Sequence, residues 1–146
     1  RAPAEPAFAH HELCVARGAF GDVQLDAGDM ARESIRAMLA ASIDVAVSAP
    51  NAAGCFLITG VFGCHAGTDP LAELLIDLRR TNIARIEKRL ILGQEAGDVP
   101  ADVNVPVLAR FYNGMMQAIS MQARDGMSRE ELEACLDPAM AALAQQ

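Results

Sequence analysis

This 146-residue chain has no tryptophan, one tyrosine and only 4% aromatic residues. It has few β-branched and aromatic runs, the material strands are built from, which removes the basis for a β-sandwich or barrel. No apolar run reaches the ~18–20 residues that a membrane-spanning helix needs. Positive charge is also short: 12 basic against 19 acidic residues give a net charge of −7. A surface of that sign repels phosphate, so the chain on its own is not expected to bind duplex DNA. Four cysteines are present, Cys14, Cys55, Cys64 and Cys135, and no two form a CxxC pair. They read as reduced, mostly buried thiols of a cytoplasmic protein rather than as a disulfide framework.

What is abundant is apolar, at 52% of residues, with much alanine beside Leu, Met, Glu and Arg. That composition favours helix and supports a core of ordinary size in one domain. An all-α fold is therefore expected: a helical bundle whose two long helices in the C-terminal half pair with a second copy as a dimeric four-helix interface.

Those two helices are the strongest pattern in the chain. The first opens at Thr68-Asp69-Pro70, an oxygen-bearing cap followed by a proline, and stops at Gly97. Ile76, Ile83 and Leu90 recur every seven residues, with Ile86 between them. The second begins near Asn104, with Pro106 in its first turn, carries a seam of Val105, Leu108, Tyr112, Met115, Ile119 and Gln122, and ends at Gly126. The seams predict a homodimer with Ile83, Ile86, Leu90, Tyr112, Met116 and Ile119 as contacts.

Other segments follow. Residues 1–28 read as a lead-in segment with a short helix and loop, and residues 29–146 as the main domain. Asp29 starts a helix with Ile35, Met38, Leu39, Ser42, Ile43, Ala46 and Val47 on its apolar stripe, which must end before Pro50. Gly54 to Cys64 is apolar on all sides and reads as a short buried helix. Ser128-x-x-Glu131 forms a capping box for a last helix, which Pro138 should kink or break.

Several groups invite a chemical reading and fail it. His10-His11-Glu12 near Cys14 matches no metal-ligand spacing, and Cys64-His65 lacks the spatial partner a nucleophile needs. Gly60, Gly63 and Gly67 are neither GxGxxG nor a phosphate-binding loop, because no Gly-Lys-Ser/Thr follows. Arg79, Arg80, Arg85, Lys88 and Arg89 put five of twelve basic residues within eleven positions, but without interleaved aromatics. A solvated helix face with local ion pairs explains them better. No catalytic residue, metal or cofactor is expected, and the chain is not expected to be an enzyme.

Three stretches carry a resemblance to a known family. Gly54-Cys55-Phe56-Leu57-Ile58 follows a Pro-Asn turn and precedes the long hairpin. Gly93-Gln94-Glu95-Ala96-Gly97-Asp98-Val99-Pro100-Ala101-Asp102 joins the long helices. Met121-Gln122-Ala123-Arg124-Asp125-Gly126 is followed by Ser128-Arg129-Glu130-Glu131-Leu132. Together, from about Asp29 to Leu143, they resemble the C-terminal domain of TetR-family transcriptional regulators. The resemblance implies a helical ligand-binding and dimerisation domain, with operator DNA read by an N-terminal helix-turn-helix. No such basic three-helix segment precedes Asp29, where 28 residues carry two basic side chains. DNA binding would thus belong to a longer parent of which this chain, beginning at Arg1, is a piece.

The implied effector is small and apolar. A pocket for it is expected between the Asp29–Val47 helix, the Gly54–Cys64 helix and the hairpin, lined by Met38, Ser42, Phe56, Thr59, Phe62, Phe111 and Met115. Ser42, Thr59 and Asn113 would orient the ligand, and Gly60, Gly63 and Gly114 would leave space. The competing expectation is a ligand-free helical dimerisation module with a filled core.

Overall fold

A computed structural model describes residues 30–48 and 70–143. The lead-in segment and the Gly54–Cys64 helix lie outside the described residues. Every regular element among them is a helix: α1 (Ala31–Ser48), α2 (Pro70–Ala96), α3 (Val105–Arg124), α4 (Arg129–Glu133) and α5 (Leu136–Ala141). At 1.5 Å per residue, the 27 residues of α2 run for roughly 40 Å.

Short-range chemistry sets the boundaries. Gly97 and Gly126 both have positive φ, at 78° and 96°. Each closes its helix with paired bonds. Asp98 N–H donates to the Gly93 carbonyl at 2.8 Å and Gly97 N–H to that of Gln94 at 3.1 Å. Met127 N–H donates to Gln122 at 3.0 Å and Gly126 N–H to Ala123 at 3.1 Å. These are Schellman closures, which need a left-handed residue that glycine adopts without strain. The Asn104 side chain caps α3 by accepting from Val107 N–H at 3.2 Å. Gln94 ties the α2–α3 turn together, its amide donating to the carbonyls of Pro100 and Val103.

Ser128 and Glu131 complete the expected capping box of α4. The Ser128 N–H and hydroxyl both donate to Glu131 Oε2 at 2.8 Å, and these bonds hold the Glu131 carboxyl below its ordinary range. A carboxyl lowered in the folded state stabilises above its unfolded pKa and loses that contribution as pH falls through the folded one. Ser128→Ala should therefore cost about 1 kcal/mol in urea unfolding at pH 7. Its deficit should shrink as pH falls and the Glu131 half of the box takes up its proton. Four residues before Pro138 the helix is interrupted: α4 ends at Glu133, and Pro138 sits in the first turn of α5 where no N–H is required.

The core lies between α1, α2 and α3 and is closed at one end by α4 and α5. Ile35, Met38, Leu39 and Ile43 of α1, Ile86 and Leu90 of α2, and Ala109, Tyr112 and Ile119 of α3 are its fully buried centre, continuous with Leu132, Leu136 and Met140. Each such aliphatic side chain removed from water contributes on the order of 1.5–3 kcal/mol. On the outside, Arg36 pairs with Asp137 at 2.7 Å and Arg129 pairs with Asp44, fastening α1 to the terminal helices. Being solvent-exposed, these pairs fix orientation more than stability.

This core corrects the expected dimer contacts. Ile86, Leu90, Tyr112, Met116 and Ile119 are buried inside the protomer, and Ile83 is half-buried against them. The physical reason is α1. Its stripe covers the inward side of the hairpin, so the best apolar seam is already occupied.

Candidate functional site

The most heptad-like side of α3 faces inward, yet the opposite side is also apolar. Val107, Phe111, Gly114, Ala118 and Met121 recur at spacings of four, three, four and three, which places them in one stripe. Val107 is 59% and Phe111 42% exposed, Gly114 is open, and Ala118 and Met121 are half-buried. Gly114 meets nothing within 4 Å of an added Cβ. Leu74, Ile91 and Leu92 on α2 are exposed large apolar residues on the same hairpin.

Inside, polar groups are few. Ser34 accepts from Arg89 Nε at 3.1 Å while donating to the Met30 carbonyl at 3.0 Å. Ser42 donates to the Met38 carbonyl at 2.9 Å, so its hydroxyl proton is engaged by its own helix. Between α2 and α3, Asn82 and Asn113 form a buried amide pair, 5% and 8% exposed. Asn82 Nδ2 donates to Asn113 Oδ1 at 2.9 Å and approaches Met116 Sδ at 3.5 Å. Asn82 Oδ1 has no partner, and among the described residues it is the one buried side-chain oxygen or nitrogen left so.

Set against the pocket expectation, the structure divides the residues. Met38 is sealed in the core, Ser42 lies beside it, and Met115 is half-buried against the core. Phe111 is exposed among the described residues, its ring edge-on to Tyr112 at 5.2 Å. Gly114 likewise opens outward and leaves no space in the core. Phe56, Thr59 and Phe62, with Gly60 and Gly63, lie outside the described residues. Asn113 is buried and accepts from Asn82, a partner that the sequence reading does not name. The signal available for Asn82 was its register: it falls between Leu75 and Ile86 on the buried stripe of α2.

The described residues hold no group of three His, Cys, Asp or Glu suited to a metal, and no helix among them is long and apolar enough to cross a membrane. The only described cysteine, Cys135, is unpaired and half-buried.

Residues 31–137 match the family described as tetracyclin repressor-like, C-terminal domain. The chain is 30% identical over 80 residues to the HTH-type transcriptional repressor ComR of Escherichia coli (strain K12), a match taking in 55% of this chain and 38% of that protein. The chain thus spans well under half the length of the curated relative it matches. Among solved structures, it is similar to a cysteine mutant of the TetR family transcriptional regulator CifR complexed with 26-base-pair operator DNA. That match has 26% identity and a TM-score of 0.79, covering 94% of this chain and 71% of the other. A TetR transcriptional regulator assigned from Rhodococcus sp. RHA1 shares the fold at 23% identity and a TM-score of 0.75, covering 93% and 75%.

Proposed function

The chain belongs to the TetR family of transcriptional regulators, as a tetracyclin repressor-like C-terminal domain, and from that premise we propose that it is the effector-sensing and dimerisation domain of such a regulator. Two copies pair through the outward side of the α2–α3 hairpin. A small, mainly apolar effector binds inside each protomer and shifts the population of conformers. The shift is read by DNA-binding helices of a longer parent protein, since an acidic chain of net charge −7 offers phosphate no electrostatic attraction.

The observation that carries the dimer is the second apolar side of α3. A helix with one apolar stripe in its own core and another exposed has an unmet partner, and Val107 and Phe111 are the large exposed residues of that second stripe. Gly114 among them lets a helix backbone approach closely, at the cost of about 1 kcal/mol of helix propensity relative to alanine. A two-fold contact between equal stripes is self-complementary, as a closed dimer requires.

Phe111→Glu tests this. It places two like charges across the two-fold axis and removes an aromatic anchor, so dissociation should be roughly a hundredfold easier, about 2.7 kcal/mol. In sedimentation velocity at micromolar concentration the wild-type chain should run as a dimer and the variant as a monomer, with unchanged helical circular dichroism. A wild-type chain that remains monomeric at tens of micromolar would refute the pairing.

A further inference from the structure

The geometry points to Asn82 as the polar anchor of the effector site, a hydrogen-bond acceptor that selects an apolar effector carrying a hydroxyl, amide or ring N–H donor. This inference rests on the effector-domain reading and names the ligand chemistry that reading leaves open.

Asn82 occupies a position where an aliphatic residue would be expected. The buried stripe of α2 runs Ala72, Leu75, Asn82, Ile86, Leu90. Ile86 and Leu90 belong to the continuous core shared with α1 and α3, whereas Ala72 and Leu75 are buried outside it. Asn82 stands at the boundary between the two. A buried acceptor without a donor is a standing cost that a leucine would not incur. A position that breaks the local rule and leaves a buried acceptor unmet is characteristic of a functional site.

Its orientation is fixed by its neighbours. The Asn82 Nδ2 group is engaged by Asn113 Oδ1 and lies 3.5 Å from Met116 Sδ. A thioether sulfur accepts but does not donate, so rotating the amide would turn Oδ1 toward a second acceptor. Asn113 and Met116 therefore act as positioning residues, holding Nδ2 on their side and leaving Oδ1 facing away from both. What Oδ1 recognises must donate. A carboxylate, acceptor-only when ionised, is selected against, as is a hydrocarbon, which would leave the oxygen bare in a site it has also dried.

The specificity this gives is of the strong kind. A hydrophobic wall discriminates poorly between molecules of similar shape, but a buried acceptor penalises every ligand that lacks its donor. The experiment uses shape-matched probe pairs on the full chain: indole against benzothiophene, benzyl alcohol against ethylbenzene, and cyclohexanol against methylcyclohexane. Binding is read by thermal shift and calorimetry. The wild-type chain should prefer the donor member of the pairs it binds by tenfold or more, which is 1.4 kcal/mol. Asn82→Leu should bring the two members of each pair within about twofold of one another. If wild-type protein binds both members alike, the effector reading survives and the role of Asn82 is overturned. A preference that persists in Asn82→Leu overturns it equally. If no probe stabilises the wild-type chain, the effector reading falls and this inference with it.

Discussion

Tyr112→Ala should destabilise the domain by about 3–5 kcal/mol, the cost of emptying a large aromatic site that cannot collapse. Tyr112 is fully buried, its ring central to the core and its hydroxyl donating to the Ala139 carbonyl at 3.2 Å. It joins α3 to α5, so the loss should be felt at the C-terminal end of the bundle as well as in the centre. Tyr112→Phe isolates the hydroxyl. It keeps the ring, and the Ala139 carbonyl still accepts from Ala142 N–H at 3.3 Å, so the cost should be only about 0.5–1.5 kcal/mol. The two variants also separate in alkali. Burial pushes the phenol up to about 12 from 10.0, offset in part by the Arg32 charge. A group whose folded pKa is raised gives its full contribution below the unfolded value and loses it as pH climbs through the folded one. Wild-type stability should thus fall between about pH 10 and pH 12, by on the order of 2–3 kcal/mol. Chemical denaturation across that range is the check, and Tyr112→Phe should lack this component of the slope.

The ends of the helices were legible in the sequence because they are local events. Gly97 and Gly126, the Asn104 cap, the Ser128–Glu131 box and the break before Pro138 each depend on residues within one turn, and the structure shows them bonded as the local chemistry requires. The all-α fold class and the family resemblance were legible for a related reason. Helix-forming composition and the Gly93–Asp102 turn belong to the chain itself rather than to a partner.

The assignment of apolar faces was not legible to the same degree. Periodicity identifies a stripe but not what covers it, and α3 has two stripes. The stronger one, through Tyr112, Met116 and Ile119, goes to α1. The weaker one, through Val107 and Phe111, is left outside. Phe111 and Tyr112 are neighbours in sequence, yet a step of one residue turns by about 100°, enough to send one outward and the other into the core. Asn82 was missed because charged residues at 79, 80, 85, 88 and 89 dominate the reading of that part of α2. Arg80 does pair with Asp77 at 3.2 Å as a solvated face would, but Arg89 turns inward to Ser34. Only the spacing of Asn82 from Leu75 and Ile86 marks it as interior, where one amide in an aliphatic seam acquires meaning.

Gly93→Val should cost about 3–4 kcal/mol and loosen α1 from the hairpin. A Cβ at Gly93 would lie 2.5 Å from Ala31 Cβ and 2.6 Å from Val99 Cγ2. Neither contact is the tip of a long flexible side chain. Ala31 has a single methyl fixed to the first turn of α1, so that helix would have to move. The Gly93 carbonyl meanwhile accepts from both Asp98 and Val99 N–H, which leaves the α2 backbone little freedom to retreat. Overpacking of this kind ordinarily costs 1–3 kcal/mol, and a β-branched residue adds further crowding from its γ carbons. The consequence extends to the start of α1, where Asp98 Oδ2 accepts from Arg32 N–H at 3.0 Å and satisfies a first-turn amide from the α2–α3 turn. Displacing α1 should break that bond and expose the Arg32 amide to hydrogen exchange. A double-mutant cycle identifies the cause. Gly93→Ala alone should destabilise by about 2 kcal/mol despite its better helix propensity. Adding Ala31→Gly, which removes the opposing methyl, should recover part of that loss, with a coupling of about 1 kcal/mol between the sites. Additive effects in urea unfolding, with no recovery, would show that the close approach of α1 to Gly93 is not what makes glycine necessary there.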